Sequence, residues 1–393
     1  MKRFQHLIVG GGMTAAAAAR GAREQAPGAS IGIISAEPHP PYNRPPLSKA
    51  LWKGDAESTV WRTDDIQGVE VILSRRVTGI DAGRKTLTDD RGETYAYDTL
   101  LLATGGAPRR LAGAPDSIIY FRTLDDYRTL HQAAAPGKHF VVLGGGFIGS
   151  EVAAALRMQG AAVTMVIPEA GVGARVFPAA LSQNLVDYYR TRGVTVRTGE
   201  GVATVSETAG KALVKTTTGF ELPADGVVAG LGIIPAIELA QAAGLKTDNG
   251  ILVDEYLRTS NPSIYAAGDV ANFPSKALGH RTRVEHEDNA NAAGRLAGKN
   301  LAGANERYDH LPFFYGDLFD VGYEAVGDLD ARLETVSDWK TPFREGVVYY
   351  LGDGRVRGVL LWNTWGQVDH ARALIAEGAP VTPASLPGRL PVA

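Results

Sequence analysis

Two stretches of the chain share one pattern of apolar and polar positions. Residues 4–9 and 140–143 are short apolar runs that predict buried strands, and each runs directly into a cluster of glycines. A helix is predicted after each cluster, followed by a second apolar strand at 31–34 and at 163–167. Strand, glycine turn, helix and strand in this order predict a parallel α/β unit, and the pattern occurs twice.

The glycine clusters have the spacing of a dinucleotide-binding turn. In the first, G-x-G-x-x-A, Gly10 permits the tight turn, Gly12 lets the backbone approach a pyrophosphate, and Ala15 lets helix and strand pack closely. The second, G-x-G-x-x-G, comprises Gly144, Gly145, Gly146, Phe147, Ile148 and Gly149. A carboxylate that can accept hydrogen bonds from ribose hydroxyls follows each second strand, at Glu37 and at Glu169. Since each helix N-terminus also offers N–H groups to phosphates, two bound dinucleotides are expected.

A third segment, 264–269, suggests which nucleotide is held permanently. Its first three residues predict a strand, and Gly268 lets the chain pass close to a ligand. Asp269 then stands at the strand end, where it can accept hydrogen bonds from a polyol such as the ribityl chain of a flavin. The alternative for Asp269 is an ordinary helix-capping role.

Composition narrows the classes of function. Of the 393 residues, 45% are hydrophobic and 21% charged, which is typical of a soluble globular protein. A formal net charge of -3 provides no basic field for nucleic acid or membrane. Glycines 10–12 interrupt the apolar N-terminus and no run is long enough to span a bilayer, so we expect a cytoplasmic protein. The eight histidines lack metal-ligand spacing, so no metal is expected.

The chain contains no cysteine. This excludes disulfides, thiolate ligation of metals or iron–sulfur clusters, and cysteine nucleophiles among its own side chains. A peroxidase or oxidase reaction that depends on a cysteine sulfenic acid is excluded for the same reason.

Four motifs together resemble the two-dinucleotide flavoprotein reductases: the two glycine clusters, residues 103–105 and residues 265–269. Residues 41–49, Pro-Tyr-Asn-Arg-Pro-Pro-Leu-Ser-Lys, are similar to the flavin-domain segment of the ferredoxin reductase and apoptosis-inducing factor branch. The disulfide reductases of this superfamily carry their redox cysteine pair in this neighbourhood. Similarity to apoptosis-inducing factor extends to the segments 283–286, 320–324 and 359–363.

The resemblance implies an α/β fold with two Rossmann-like domains and a C-terminal α+β domain. An FAD-binding domain, residues 1–112 and 237–310, is expected to be split by an inserted NAD(P)H-binding domain at 113–236. Residues 311–393 are expected to form an interface domain that covers the flavin and often supports a homodimer in the family.

The C-terminal pattern predicts elements of its own. Strands are predicted at 346–351 and 356–362 around a Gly-Asp-Gly turn, and a helix from about 367 to 376. Residues 379–393 are rich in proline and predict a mobile tail.

The resemblance also implies an FAD site. Arg44 is implied to neutralise the pyrophosphate, because its guanidinium fork can bind phosphate oxygens, and Val77 to lie near the adenine. The implied FAD-binding residues are Gly10, Gly12, Met13, Thr14, Ala15, Ala36, Glu37, Arg44, Lys49, Val77, Ala103, Thr104, Gly105, Gly268 and Asp269.

Four residues are implied to act at the reacting rings. Lys49 is expected beside the flavin N5 edge and paired with Glu151, which would hold positive charge near a ring that becomes anionic on reduction. The alternative is two unrelated surface charges. Glu285 and His286 are implied to position the nicotinamide for hydride transfer. Tyr315 stands where relatives often carry a tryptophan against the flavin.

The nicotinamide nucleotide is expected on the second glycine cluster, with Gly232 near its nicotinamide end. Glu169 would bind the adenine ribose and repel a 2′-phosphate, which favours NADH over NADPH. Arg175, six residues later, opposes this preference because an arginine there can accommodate the phosphate.

The resemblance implies an NADH oxidoreductase that transfers hydride to flavin N5 and passes electrons to a ferredoxin or rubredoxin-type iron–sulfur protein. One alternative is a slowly turning enzyme, similar to apoptosis-inducing factor, that acts through NADH-dependent dimerisation. Another is a non-catalytic FAD-binding scaffold. No nucleic acid partner and no membrane span are expected.

Overall fold

The structure is a computed structural model that describes residues 1–208 and 210–390. Its helices are α1 (Met13–Gln25), α2 (Leu124–Ala133), α3 (Phe147–Met158), α4 (Ala179–Thr191), α5 (Glu238–Ala242), α6 (Glu287–Leu301) and α7 (Val368–Glu377). Short 3₁₀ helices occur at Pro45–Ser48, Ala50–Lys53, Glu57–Val60, Gly268–Val270 and Pro383–Ser385. The strands are β1 (Lys2–Val9), β2 (Ile31–Ile34), β3 (Glu70–Ile72), β4 (Val77–Asp81), β5 (Thr86–Asp89), β6 (Thr94–Leu102), β7 (Gly106–Pro108), β8 (His139–Leu143), β9 (Ala162–Ile167), β10 (Val194–Thr198), β11 (Val202–Thr208), β12 (Lys211–Thr216), β13 (Glu221–Ala224), β14 (Gly226–Ala229), β15 (Ile233–Pro235), β16 (Thr247–Asp248), β17 (Gly250–Leu252), β18 (Ile264–Ala266), β19 (Ala271–Ser275), β20 (His280–Thr282), β21 (Phe313–Leu318), β22 (Val321–Gly327), β23 (Glu334–Thr341), β24 (Glu345–Gly352) and β25 (Arg355–Trp362).

The chain forms two compact units, each built from separated segments. The first unit comprises residues 1–43, 57–107 and 234–313. The second comprises residues 44–56, 108–233 and the chain from residue 314 onward. The finer division into three domains stays a prediction.

The first unit is organised around a largely parallel sheet. Strand β1 pairs in parallel with β2 on one side and β6 on the other, β3 continues beyond β2, and β18 pairs with the end of β6. The strand β5 pairs antiparallel with the beginning of β6, and β4 pairs antiparallel with β5. Because β1, β2, β6 and β18 run in the same direction, their carboxyl ends meet at one edge of the sheet, where α/β folds bind ligands.

Helices α1 and α6 of this unit pack unusually closely. A Cβ atom added at Gly294 would lie 2.6 Å from the carbonyl oxygen of Thr14, and one at Gly298 would collide with that of Ala18. The alanines of α1 are buried on the facing side. Small residues on both helices therefore bring their backbones together, which fixes the start of α1 against α6.

The described residues of the second unit include both parallel and antiparallel sheets. Strands β10, β9, β8 and β14 form a parallel sheet in that order, with β11, β12 and β13 as an antiparallel sheet beside it. Strands β21, β22, β25, β24 and β23 form a five-stranded sheet, against which α7 packs. We call residues 314–390 the C-terminal module. The predicted fold class is confirmed, as are the two strands and the helix predicted within this module.

The prediction of a mobile tail is wrong for residues 379–390. Leu386 and Leu390 are buried, the backbone N–H of Gly388 donates to Asp338 Oδ2 at 2.6 Å, and that of Leu390 to the Tyr349 hydroxyl at 3.1 Å. Burial of the two leucines holds this segment on the C-terminal module despite its prolines. Residues 391–393 lie outside the described residues.

Candidate cofactor sites

The first glycine cluster adopts the geometry that its spacing predicts. Gly10 has φ 119°, a conformation that side chains rarely adopt, and a Cβ atom there would collide with the carbonyl oxygen of Ala103. Gly12 is the N-cap of α1, and Met13 begins the helix. The ends of β1 and β6 are therefore in backbone contact at the edge where the first nucleotide is expected.

The segment after β18 meets the start of the same helix. Gly268 has φ 75°, and a Cβ atom there would collide with the side chain of Thr14. Asp269 follows in a short 3₁₀ helix, and its carbonyl oxygen accepts a hydrogen bond from Arg283 Nη1 at 3.0 Å. Arg283 Nη1 also pairs with Glu285 at 2.6 Å, so this arginine links Asp269 to Glu285. His286 follows as the N-cap of α6.

The carboxylate predicted for the first ribose is held by a buried tyrosine. Tyr42 OH donates to Glu37 Oε2 at 2.6 Å, while the backbone N–H of Glu37 donates to Ser35 Oγ at 3.2 Å. Ala36 between them is exposed, and Val77 begins strand β4. Tyr42 thus fixes the orientation of Glu37 at the end of β2.

The turn after β6 is hydrogen-bonded to Ala236, which follows strand β15. Thr104 Oγ1 donates to the carbonyl oxygen of Ala236 at 2.9 Å, and the N–H of Ala236 donates to the carbonyl oxygen of Gly105 at 3.0 Å. Gly105 has φ 63°, which explains the glycine at this turn.

Lys49 and Glu151 form the predicted pair, in the second unit. Lys49 Nζ lies 2.7 Å from Glu151 Oε2, and their side chains are only 12% and 3% exposed. Ser48 Oγ donates to the same oxygen at 2.6 Å. Lys49 Nζ also lies 5.2 Å from the centre of the Tyr315 ring, within reach of a cation–π interaction. The alternative of two unrelated surface charges is therefore wrong.

Two buried tyrosines, Tyr189 and Tyr323, lie close enough to Glu151 to feel its charge, and both are uncharged. Burial, followed by the charge of Glu151, raises the pKa of the Tyr189 and Tyr323 hydroxyls well above the ordinary value. Both phenols stay neutral at physiological pH. The cluster is therefore a desolvated environment in which an unbalanced charge is costly.

Arg44 immediately precedes the 3₁₀ helix Pro45–Ser48, which leads to Lys49. Its Nη1 donates to the carbonyl oxygen of Arg122 at 2.8 Å. This bond anchors the loop that carries Lys49 within the second unit.

The second glycine cluster repeats the close packing of the first. Gly144 has φ 96°, and a Cβ atom there would lie 2.6 Å from the carbonyl oxygen of Gly230. A Cβ atom at Gly149 would collide with the carbonyl oxygen of Gly144, and one at Gly145 would lie 2.7 Å from Ile167. Gly146, the N-cap of α3, faces open space. Phe147 packs at 5.1 Å from the ring of Phe314, and Ile148 is exposed.

Glu169 and Arg175 contact each other. Arg175 Nε donates to Glu169 Oε1 at 2.7 Å, the arginine side chain being 82% and the glutamate 25% exposed. Gly232 follows β14 with φ 81°, and its carbonyl oxygen accepts a hydrogen bond from the backbone of Arg109 at 2.9 Å. The acidic and basic residues predicted to act at the 2′ position thus form one ion pair, in which the arginine is exposed.

Both helices that follow the glycine clusters suit an anionic ligand. Within the described part of the chain, no side chain caps the N-terminus of α1 or of α3, and neither has an acidic residue in its first turn. A phosphate that approaches either helix N-terminus therefore meets the positive end of the helix dipole and no carboxylate of the first turn, and the open space at Gly146 leaves room for it. The residues present therefore fit FAD on the first cluster and a pyridine nucleotide on the second.

Sequence reasoning missed three residues that shape these sites. Ser48 adds a hydrogen bond to Glu151, Tyr42 orients Glu37, and Arg283 joins Asp269 to Glu285. Ser48 and Tyr42 belong to the segment 41–49 already singled out, so its polar residues carried a signal. Arg283 belongs to the segment 283–286, which was noted for its similarity to apoptosis-inducing factor without a role for the arginine.

The fold and these sites define an FAD-dependent oxidoreductase that uses a pyridine nucleotide. A family profile described as pyridine nucleotide-disulphide oxidoreductase matches residues 4–294, and one described as apoptosis-inducing factor, mitochondrion-associated, C-term matches residues 297–342. The chain belongs to the pyridine nucleotide-disulphide oxidoreductase family. This confirms the resemblance inferred from the motifs.

Individual relatives fall in the expected branch. The anthranilate 1,2-dioxygenase system ferredoxin–NAD(+) reductase component of Burkholderia cepacia is 36% identical, over 97% of this chain and 96% of the relative. Apoptosis-inducing factor 1, mitochondrial, of Dictyostelium discoideum is 33% identical, over 95% of this chain and 79% of the relative. The reductase in a crystal structure of the covalent putidaredoxin reductase–putidaredoxin complex superposes with a TM-score of 0.91 at 31% identity, over 98% of this chain and 95% of that one.

No helix in residues 1–208 or 210–390 is both long and apolar enough to cross a membrane. In the same part of the chain, no group of three or more acidic or histidine side chains is arranged to hold a metal ion.

Proposed function

We propose that this protein is an NADH-dependent ferredoxin reductase, which takes hydride from NADH and passes electrons to a ferredoxin or rubredoxin-type iron–sulfur protein. One observation carries the proposal. Glu151, which holds the Lys49 ammonium, lies on α3, the helix that begins at the second glycine cluster. The residue proposed for the flavin edge is thereby bonded to the helix proposed to bind the pyridine nucleotide.

Bound FAD supplies the group that accepts hydride from NADH and can return electrons one at a time. The side chains supply alignment and charge. Lys49 supplies a positive charge. Glu151 accepts a hydrogen bond from its ammonium group, and Ser48 fixes the Glu151 carboxylate with a second hydrogen bond. Glu285 and His286, together at the start of α6, are proposed to position the nicotinamide. Because the chain has no cysteine, the electrons leave without passing through a protein dithiol.

The iron–sulfur acceptor is proposed from the relatives. The Burkholderia relative is named as a ferredoxin–NAD(+) reductase component, and the reductase of the superposed complex is bound to putidaredoxin. Both align over nearly the whole of this chain, so the regions that contact an acceptor in those proteins have counterparts here.

The function is tested by anaerobic titration of the FAD-loaded protein with NADH, followed by addition of an acceptor. We expect NADH to bleach the flavin absorbance at a rate that a stopped-flow experiment resolves. A ferredoxin should then accelerate NADH-driven reduction of cytochrome c well beyond the rate without it. A flavin that NADH does not bleach would instead support the non-catalytic scaffold.

A second candidate function is favoured by the C-terminal match. The profile of the apoptosis-inducing factor C-terminal region matches residues 297–342. This match supports a slowly turning NADH oxidoreductase that dimerises when reduced. Light scattering before and after anaerobic addition of NADH distinguishes the two functions. The dimerising oxidoreductase requires the molecular mass to double on reduction, and its turnover should stay slow when a ferredoxin is added.

Preference for NADH is proposed to depend on Glu169. Replacing Glu169 with serine should remove the carboxylate that binds the ribose hydroxyls and repels a 2′-phosphate, and should release Arg175 from its ion pair. A charge-assisted hydrogen bond contributes about 1.5–3 kcal/mol, so the ratio of kcat/KM for NADPH to that for NADH should rise roughly 10- to 150-fold. Steady-state kinetics with both nucleotides measures it.

The double variant Glu169→Ser, Arg175→Ala is the matched control. In this variant the ratio of kcat/KM for NADPH to that for NADH should fall back most of the way to the wild-type value, because the arginine supplies the new contact to the 2′-phosphate. An unchanged ratio in the single variant would remove Glu169 from the specificity site.

A further inference from the structure

The segment 169–177, which we call the specificity loop, links the two recognition elements of the proposed pyridine nucleotide site. It begins at Glu169, the proposed ribose ligand, and includes the partner of that residue, Arg175. Near its middle, the N–H of Gly173 donates to the carbonyl oxygen of Gly145 in the second glycine cluster, at 2.8 Å. A displacement of the loop would therefore act on both the ribose end and the pyrophosphate end of the site.

The first end of the loop is anchored by the dinucleotide-binding sheet, and its middle is held by α4, whose Ser182 Oγ donates to the carbonyl oxygen of Val172 at 2.8 Å. The carbonyl oxygen of Glu169 accepts a hydrogen bond from the N–H of Gly199 at 2.9 Å, just beyond β10. The described part of the loop forms neither helix nor strand, although the N–H groups of Val176 and Phe177 return to the carbonyl oxygen of Gly173. Residues 174–177, between Gly173 and the start of α4, therefore depend also on what they pack against.

The second half of the loop is anchored by the C-terminal module. Tyr350 OH donates to the carbonyl oxygen of Val176 at 2.9 Å, and the N–H of Ala331 donates to the carbonyl oxygen of Arg175 at 3.0 Å. Tyr350 is completely buried. Two bonds from two different parts of the module thus fix consecutive carbonyl groups of the loop.

Aromatic packing strengthens this attachment. Phe177, at the end of the loop, is buried edge-on against two rings of the five-stranded sheet. Its centre lies 5.3 Å from that of Tyr323 at 84° and 5.5 Å from that of Trp362 at 80°. Edge-to-face pairs at these distances stabilise one orientation of the ring. The loop is consequently held to the module by its side chains as well as by its backbone.

We infer that the C-terminal module, through Tyr350, sets the pyridine nucleotide affinity of a site that lies outside the module. Tyr350 is a positioning residue: it holds Val176, which fixes the loop that carries Glu169 and Arg175 and contacts the glycine cluster. This inference rests on the proposed function, because it requires the nucleotide to occupy the second glycine cluster. It adds a determinant of affinity that no residue of the dinucleotide-binding pattern predicts.

The test is the binding of ADP-ribose, which carries the adenine, ribose and pyrophosphate but cannot reduce the flavin. Titration calorimetry on the FAD-loaded protein compares the wild type with Tyr350→Phe, which removes the hydroxyl and keeps the ring. Loss of one hydrogen bond should raise the Kd for ADP-ribose about five- to tenfold. The KM for NADH should rise in parallel while kcat at saturation stays unchanged.

Tyr97→Phe is the matched control, because the Tyr97 hydroxyl is buried without a hydrogen-bond partner in the described residues and belongs to the core of the first unit. It should leave the ADP-ribose affinity as in the wild type. A second variant, Gly173→Ala, disturbs the loop directly, since Gly173 has φ 66° and a Cβ atom there would collide with the Phe177 ring. It should weaken ADP-ribose binding at least as much as Tyr350→Phe.

The outcomes separate this inference from the function on which it rests. If wild-type protein fails to bind ADP-ribose, the proposed site itself is wrong. If the wild type binds and both Tyr350→Phe and Gly173→Ala bind equally well, the site stands and the positioning role of the module is wrong. Weaker binding in both variants, with FAD content as in the wild type and each protein fully folded at the temperature of the titration, supports the inference.

Discussion

Protein carrying alanine in place of Gly10 should be purified without its yellow cofactor. The added Cβ atom would collide with the Ala103 carbonyl oxygen, and φ 119° is open to glycine but not to alanine. Backbone strain of about 1–2 kcal/mol and overpacking of about 1–3 kcal/mol together predict FAD binding weaker by roughly 30- to 5,000-fold. The ratio of flavin to protein absorbance after purification, followed by titration with added FAD, measures the loss.

Gly28→Ala is the control for this substitution. Gly28 is an exposed glycine with no atom within 4 Å of an added Cβ and no positive φ, so alanine should be tolerated. Full flavin content in both variants would show that the turn at Gly10 does not hold the cofactor.

The second large effect is expected at Lys49. Replacing it with methionine would leave the Glu151 carboxylate, 3% exposed, with the Ser48 hydroxyl but without its cation. An uncompensated buried charge costs about 3–5 kcal/mol, so chemical denaturation should show a free energy of unfolding lower by that amount. Loss of the positive charge that we propose to lie beside the flavin should also slow flavin reduction by NADH about 10²- to 10³-fold, measured by anaerobic stopped-flow absorbance.

A double variant separates the two consequences. Lys49→Met combined with Glu151→Gln leaves no unpaired charge, so most of the lost stability should return while reduction by NADH stays slow. If the double variant recovered the rate as well, Lys49 would have a structural role only. Normal reduction in the single variant would contradict the proposed placement of Lys49 at the flavin edge.

The parts of this molecule that sequence predicted well are those fixed by neighbouring residues. Spacing alone placed Gly10 and Gly144 at tight turns, and both have positive φ and no room for a side chain. The strands on either side follow from short-range hydrophobic periodicity, which is why their bounds agree within two residues. The Lys49–Glu151 pair was reached only through resemblance, because 102 residues separate its members.

What sequence did not predict depends on distant contacts. The hydroxyl of Tyr350 meets a carbonyl group 174 positions away, and nothing in the local pattern of a buried strand distinguishes this tyrosine from its neighbour Tyr349. The C-terminal segment shows the opposite error. Its prolines suggested mobility, yet Leu386 and Leu390, four positions apart, supply a buried face that the same sequence could have indicated.

The packing of α6 on α1 has a consequence for how the protein is made. Contacts such as that between Arg295 and Glu24 join positions 271 residues apart, so β1 and α1 leave the ribosome long before the helix that covers them. At about 5–20 residues per second this wait is roughly 15 to 55 s. The strands β8, β9, β10 and β14, which all lie between His139 and Ala229, can assemble meanwhile. The second nucleotide fold should thus close first during translation, and alanines of α1 should remain exposed to chaperones until residue 301 has emerged.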